Sequence, residues 1–172
     1  MKARSLGRTT IDRGEYAERD DFVGLFESER PELQRLALLL TANRDSARRC
    51  LDCAFHDCVM SDSVSRQWIH VWARRMVIRN AIAVTMEQNP QPSVSAGESS
   101  GAESSALSEN EFDDARTESE SILALPHFER FVFVLSALER YSLRDCALLL
   151  GRSLQDVSEA KRRVGDPLKA TL

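Results

Sequence analysis

Apolar residues recur along this chain at spacings of three and four, the repeat of an amphipathic helix. Phe22, Leu25 and Phe26 open one stripe. Leu33, Leu36, Ala37 and Leu40 continue it beyond Pro31, a residue tolerated in a first helical turn. Asn43-Arg44-Asp45 breaks the pattern, with Asp45 the expected N-cap of the next helix. Ala47, Cys50, Leu51, Ala54, Phe55 and Cys58 form the next stripe, which Ser61-Asp62-Ser63 interrupts. Val64, Trp68, Ile69, Val71, Trp72, Met76, Ile78 and Ile82 then predict a long helix, whose other face carries Arg66, Arg74, Arg75 and Arg79. Three or four helices with short connections make a small bundle.

The C-terminal part repeats the helical pattern. Ile122, Leu123 and Leu125 precede Pro126, and Phe131, Val132, Val134, Leu135 and Leu138 line an apolar helix. The run from Phe131 to Leu135 has strand propensity, but the flanking helical periods and the lack of a partner strand favour a helix. Two capping signatures then stand in series, Ser142-x-x-Asp145 and Ser153-x-x-Asp156. Each offers a hydroxyl to orphan backbone N–H groups and an acid to the positive end of a helix dipole. Gly151 falls between them, where a helix stops and φ often turns positive. The spacing predicts a helix over Leu143–Leu150, a turn over Gly151–Ser153 and a second helix over Leu154–Val164. Ala147 and Val157 are placed to pack into the corner, as in a helix-turn-helix.

Charge divides the chain in three. Residues 1–84 carry 14 basic and 12 acidic side chains, residues 85–121 carry one arginine and nine acids, and residues 122–172 carry eight basic and six acidic ones. The middle stretch is rich in Ser and Glu, with Val94, Leu107 and Phe112 its main apolar residues. Such a segment buries too little surface to offset its ordering entropy, so a flexible acidic linker is expected. The expected organisation is therefore all-α: an N-terminal extension (1–21), a helical domain (22–84), the linker (85–121) and a helix-turn-helix domain (122–172). Seven Gly and five Pro in 172 residues argue against a turn-rich all-β fold. The longest apolar runs, five residues as in Leu36–Leu40, are far short of the ~20 residues of a membrane span. The charged N-terminus lacks the apolar core of a secretory signal, so a cytoplasmic location with four reduced cysteines is expected.

A helix-turn-helix supports two readings. In one, the second helix enters the major groove, with Leu154, Gln155, Ser158 and Glu159 facing base edges and Arg152, Lys161, Arg162 and Arg163 meeting phosphates. In the other it is a packing or protein-binding corner. Asp156 and Glu159 place carboxylates where phosphate would lie. Cys50-x-x-Cys53-x-x-His56-x-Cys58 has the spacing of a metal or redox motif. On one helix, however, Cys50, Cys53 and His56 step round by about 60° and Cys58 falls on another side, so buried structural thiols are expected and no cofactor. There is no glycine-rich phosphate loop, Ser/His/Asp set or acid pair, so the chain does not read as an enzyme.

The stretch from Leu125-Pro126 through Arg130 and the valine-rich helix, then Leu138-Glu139, Ser142, Ala147, Leu150-Gly151, Ser153 and Val157, resembles region 4 of the extracytoplasmic-function group of bacterial sigma-70 factors. Leu36–Asp45, Phe55, Trp68 and Ala73-Arg74 are similar, more weakly, to region 2. The resemblance implies a transcription initiation factor that binds core RNA polymerase and promoter DNA, and that a regulatory protein of the anti-sigma type can hold. It implies polymerase contact at Arg48, Arg49, Asp52 and Phe55. It also implies phosphate contact at Arg66, Arg74, Arg75 and Arg79, with Trp68 and Trp72 available either to stack on melted bases or to fill the core. The chain departs from the family where Arg48, Arg49 and Cys53 replace acids. Arg75 and Arg79 stand for Asn and Asp, and Ser158 and Ala160 for basic residues. A sigma-derived module that binds a protein partner and no promoter is the alternative.

Overall fold

The computed structural model describes the backbone of residues 15–61, 63–88 and 119–169, and these are predominantly helical, with no strand among them. The protein is all-α. Helix α1 (Arg19–Ser28) starts three residues before the expected domain boundary. Glu18 and Asp21 form a capping box there, Asp21 accepting from the Glu18 N–H at 2.8 Å. Upstream, an isolated antiparallel bridge joins Tyr16 to Ser65, so the chain before α1 is tied to the start of the fourth helix.

Helix α2 (Arg30–Thr41) carries Pro31 in its first turn and ends at Ala42, whose φ of 53° is left-handed. Two residues then reverse the chain. Asn43, not Asp45, is the N-cap of α3 (Arg44–Val59), its Oδ1 accepting from Ser46 N at 2.9 Å. The extended backbone at Asn43 turns its side chain back over the first N–H groups of α3, whereas Asp45 already lies inside the first turn.

After a 3₁₀ turn (Arg66–Trp68), α4 spans Ile69–Gln88. Ile69, Ala73, Met76, Val77, Ile78, Ala81 and Val84 are buried. Trp68 and Val71, expected on that face, are 59% and 57% exposed. Eight apolar positions exceed one helical face, and the 3₁₀ turn places Trp68 outside the α-helical register. Thr85 to Gln88, assigned by sequence to the linker, continue α4, with Val84 buried and Thr85 Oγ1 donating to Ala81 O. The greater part of the acidic stretch, with Val94, Leu107 and Phe112, lies outside the described residues, as do residues 1–14.

A short helix α5 (119–123) leads to α6 (His127–Phe133), which runs on into a π turn, Val134–Leu138. The Glu139 N–H reaches back five residues to Val134 O. The wider turn rotates the register, and Leu138 emerges 44% exposed. Helix α7 (Leu143–Leu150) and α8 (Leu154–Lys169) complete the chain, α8 running past the expected Val164.

Buried residues of both halves form one continuous cluster, from Phe22, Leu33 and Leu40 through Val77 and Ile78 to Val132, Leu135 and Val157. Arg130 joins the halves. It is 3% exposed, and its Nε donates to Leu40 O at 3.3 Å while Nη1 donates to Leu125 O and Leu123 O. Leu40 O is one of the carbonyls left over at the end of α2, which has no basic residue in its own last turn. The left-handed Ala42 serves Leu38 O through its own N–H, and a cation from a distant helix serves Leu40 O at the same C-terminus.

Candidate nucleic-acid interface

The helix-turn-helix forms as its spacing predicts. Ser142 Oγ accepts from Asp145 N at 3.1 Å, capping α7. Gly151 takes φ 60° and ψ 36°, and Arg152 N–H closes the turn on Ala147 O. Ser153 Oγ accepts from Asp156 N, and Asp156 Oδ2 accepts from Ser153 N, a reciprocal box that starts α8. Val157, Ala160 and Val164 are buried, so α8 sits on the core by one narrow face. Leu154, Gln155, Ser158, Lys161 and Arg162 are exposed on the rest of it, and Glu159 is half-buried.

Several of these groups have partners within the chain. Gln155 Nε2 donates to Glu159 Oε1, and Ser158 Oγ donates to Leu154 O. Arg163 pairs with Glu129 of α6, with N–O distances of 3.1 and 2.9 Å. Arg152 lies over the Phe128 ring, 5.8 Å from its centre. Lys161 and Arg162 are the candidate phosphate contacts that extend from α8 without such a partner in the described residues.

The arginines around α4 divide likewise. Arg66 pairs with Asp21 at 3.0 Å. The Glu18 N–H, and then Arg66, hold Asp21 below the usual carboxylate range. Arg74 makes a bidentate pair with Glu139, across the boundary between the halves. The Glu139 side chain is 8% exposed, and its hydrogen bonds push the Arg74 pKa up. Arg75 and Arg79 are exposed, on the side of α4 that also carries Val71. Trp72 packs against the core with its Nε1 buried and unpartnered among the described residues, which favours the packing role for that ring.

On α3, Arg48, Arg49 and Asp52 are exposed. Phe55 is half-buried and meets Phe26 edge-on, with ring centres 5.2 Å apart at 74°. Arg48, Asp52 and Phe55 line a cleft of about 680 Å³ between α1, α2 and α3. Its other lining residues include Arg30, Leu38, Arg44 and Leu51, none of them expected from the sequence as a contact residue. The five-residue apolar run Leu36–Leu40 held the signal, because one helical face cannot bury five consecutive residues.

The cysteines do not converge. Cys50 and Cys58 are buried, Cys53 is exposed on the outer side of the same helix, and Cys146 is buried on α7. Cys50 Sγ donates to Val77 O at 3.2 Å, pinning α3 to α4. Burial pushes the Cys50 and Cys58 thiols up to about 12, far from a reactive thiolate. Among the described residues no three His, Cys, Asp or Glu side chains are grouped to hold a metal ion, and no helix is long and apolar enough to cross a membrane. Compared with protein-family models and with curated proteins, the chain matches none.

Proposed function

We propose that this protein is a sigma-type transcription regulator, whose C-terminal helix-turn-helix meets duplex DNA and whose N-terminal helices bind a protein, core RNA polymerase in the family pattern. The observation that carries this is the doubly capped turn over Gly151, with α8 held to the core by one face and Lys161 and Arg162 standing free on another. The Leu125-Pro126 to Arg130 motif, with its family resemblance, supports it. Reconstitution tests it. Core RNA polymerase is mixed with the full chain and a library of promoter fragments, and transcripts dependent on the chain are sought. Their appearance, and their loss in Lys161→Ala with Arg162→Ala, supports the reading; no dependent transcript on any fragment removes the initiation role.

A second reading, a module that binds a protein and no promoter, is favoured by the internal pairing of Arg74 and Arg163. Both stand among the expected phosphate contacts, and both are tied to carboxylates across helix boundaries. DNA binding by the full chain separates the two.

A further inference from the structure

Three arginines of this protein that lack an ion-pair partner among the described residues line one cleft. Arg66, Arg74 and Arg163 have carboxylate partners, and Arg130 is satisfied by backbone carbonyls. Arg30, Arg44 and Arg48 have no ion-pair partner among the described residues, and all three are exposed on the rim of the cleft between α1, α2 and α3. Arg30 is the first residue of α2 and Arg44 the first of α3. The two helices run antiparallel through the Ala42-Asn43 reversal, so these guanidinia stand at opposite ends of the cleft. Each also sits at the positive end of a helix dipole. Between them the floor is apolar, with Phe26, Leu38, Leu51 and Phe55 half-buried rather than sealed in the core. From Arg44 to Phe55 the floor spans eleven residues of α3, about 16 Å or three helical turns. Glu27 and Asp52 are the carboxylates on the same lining, leaving the arginines in excess.

We infer that this cleft is a docking groove for an amphipathic helix of a partner protein, about three turns long, with carboxylates at both ends of its apolar stripe. The apolar floor gives such a helix its anchor, as in other helix-in-groove complexes. The arginines at the two ends set its sign of charge and fix its register. A partner with basic ends meets Arg30 at one end and Arg44 with Arg48 at the other. The inference rests on the reading of the N-terminal helices as the protein-binding half, and it is independent of DNA binding by α8.

Two labelled peptides of about fourteen residues test it, sharing one Leu/Phe stripe and differing only in Glu or Lys in their first and last turns. Fluorescence anisotropy with the full chain is expected to show the Glu peptide binding at least about tenfold tighter than the Lys peptide. Arg44→Glu with Arg48→Glu, both exposed and so compatible with folding, is expected to reverse that preference, with an unchanged thermal midpoint confirming the fold. Leu51→Lys should weaken both peptides. Equal binding of the two peptides, no binding of either, or a preference unmoved by the double substitution overturns the proposal. Duplex DNA binding is measured on the same variants. A chain that binds DNA but neither peptide keeps the DNA-binding reading and loses this one.

Discussion

Removing the Arg130 guanidinium is the most revealing single change this fold offers. Its four hydrogen bonds reach Leu40 O, Leu123 O, Leu125 O and His127 Nδ1. The bond to Leu40 is fully buried and joins residues 90 apart, whereas the other three are partly accessible. In Arg130→Ala, Leu40 O is left without a donor, which costs about 1–3 kcal/mol. The accessible acceptors recover much of theirs from water, and a cavity adds to the loss. Against this stands the desolvation of the cation itself, the burial that lowers the Arg130 pKa. The balance is a loss of about 2–4 kcal/mol. In a chain of this size that lowers the thermal midpoint by roughly 4–16 °C. Circular dichroism melts of the full chain measure it, with Arg130→Lys as comparator, since one ammonium cannot reach both Leu40 O and Leu125 O. The wild type should melt in one transition, because the two halves share a core, and the variant should broaden or split. A midpoint within about 2 °C of wild type, with a single sharp transition, would refute the role given to Arg130.

The same geometry gives three further expected outcomes. Arg74→Ala should destabilise more than Glu139→Gln, by about 1–2 kcal/mol in denaturant unfolding, because it strands a carboxylate that is almost buried while the converse leaves a guanidinium one-third exposed; equal losses would contradict the asymmetry. Titration with a thiol reagent should modify Cys53 alone in the native protein and all four cysteines after denaturation, whereas rapid reaction of Cys50 or Cys58 would contradict their raised pKa. Burial, and then Arg130, holds the His127 pKa below 6.5, so the folded protein binds that proton less tightly than the unfolded chain and stability should fall as pH drops through and below 6.5. His127→Gln should flatten that slope, and an unchanged slope would show that the drop has another source.

Most of the fold was legible in the sequence wherever one signal acted alone. The helix-turn-helix was readable because Ser142, Gly151 and Ser153 are backbone devices, effective within a few residues of themselves. The stripes of α1, α2 and α3 were readable because burial follows the helical period. The local rules failed where two elements compete. Asn43 and Asp45 can each cap a helix, and the left-handed Ala42 decided between them by setting where α2 stops. The π turn after Phe133 carries no composition signal, so the rotation of Leu138 was hidden. The candidate site was legible as residue types and not as pairings. In one dimension Arg66 and Arg74 look like part of a basic face and Arg163 like a phosphate contact. Their carboxylates, Asp21, Glu139 and Glu129, lie 34 to 65 residues away and meet them only in the folded chain.

The central claim, that α8 meets duplex DNA, is tested most directly by the salt dependence of binding. Fluorescence anisotropy of the full chain with a labelled duplex pool is measured over a range of salt concentrations. Each phosphate contact adds ~0.9 to the slope of log affinity against log salt, so Lys161, Arg162 and Arg152 together predict a slope of about −3. Arg162→Ala should weaken binding to all sequences alike and flatten the slope by about one, while Gln155→Ala should relax sequence preference with the slope unchanged. A folded chain that binds no duplex at low salt, or one whose slope is untouched by Arg162→Ala, would contradict the claim and leave the protein-binding reading in its place.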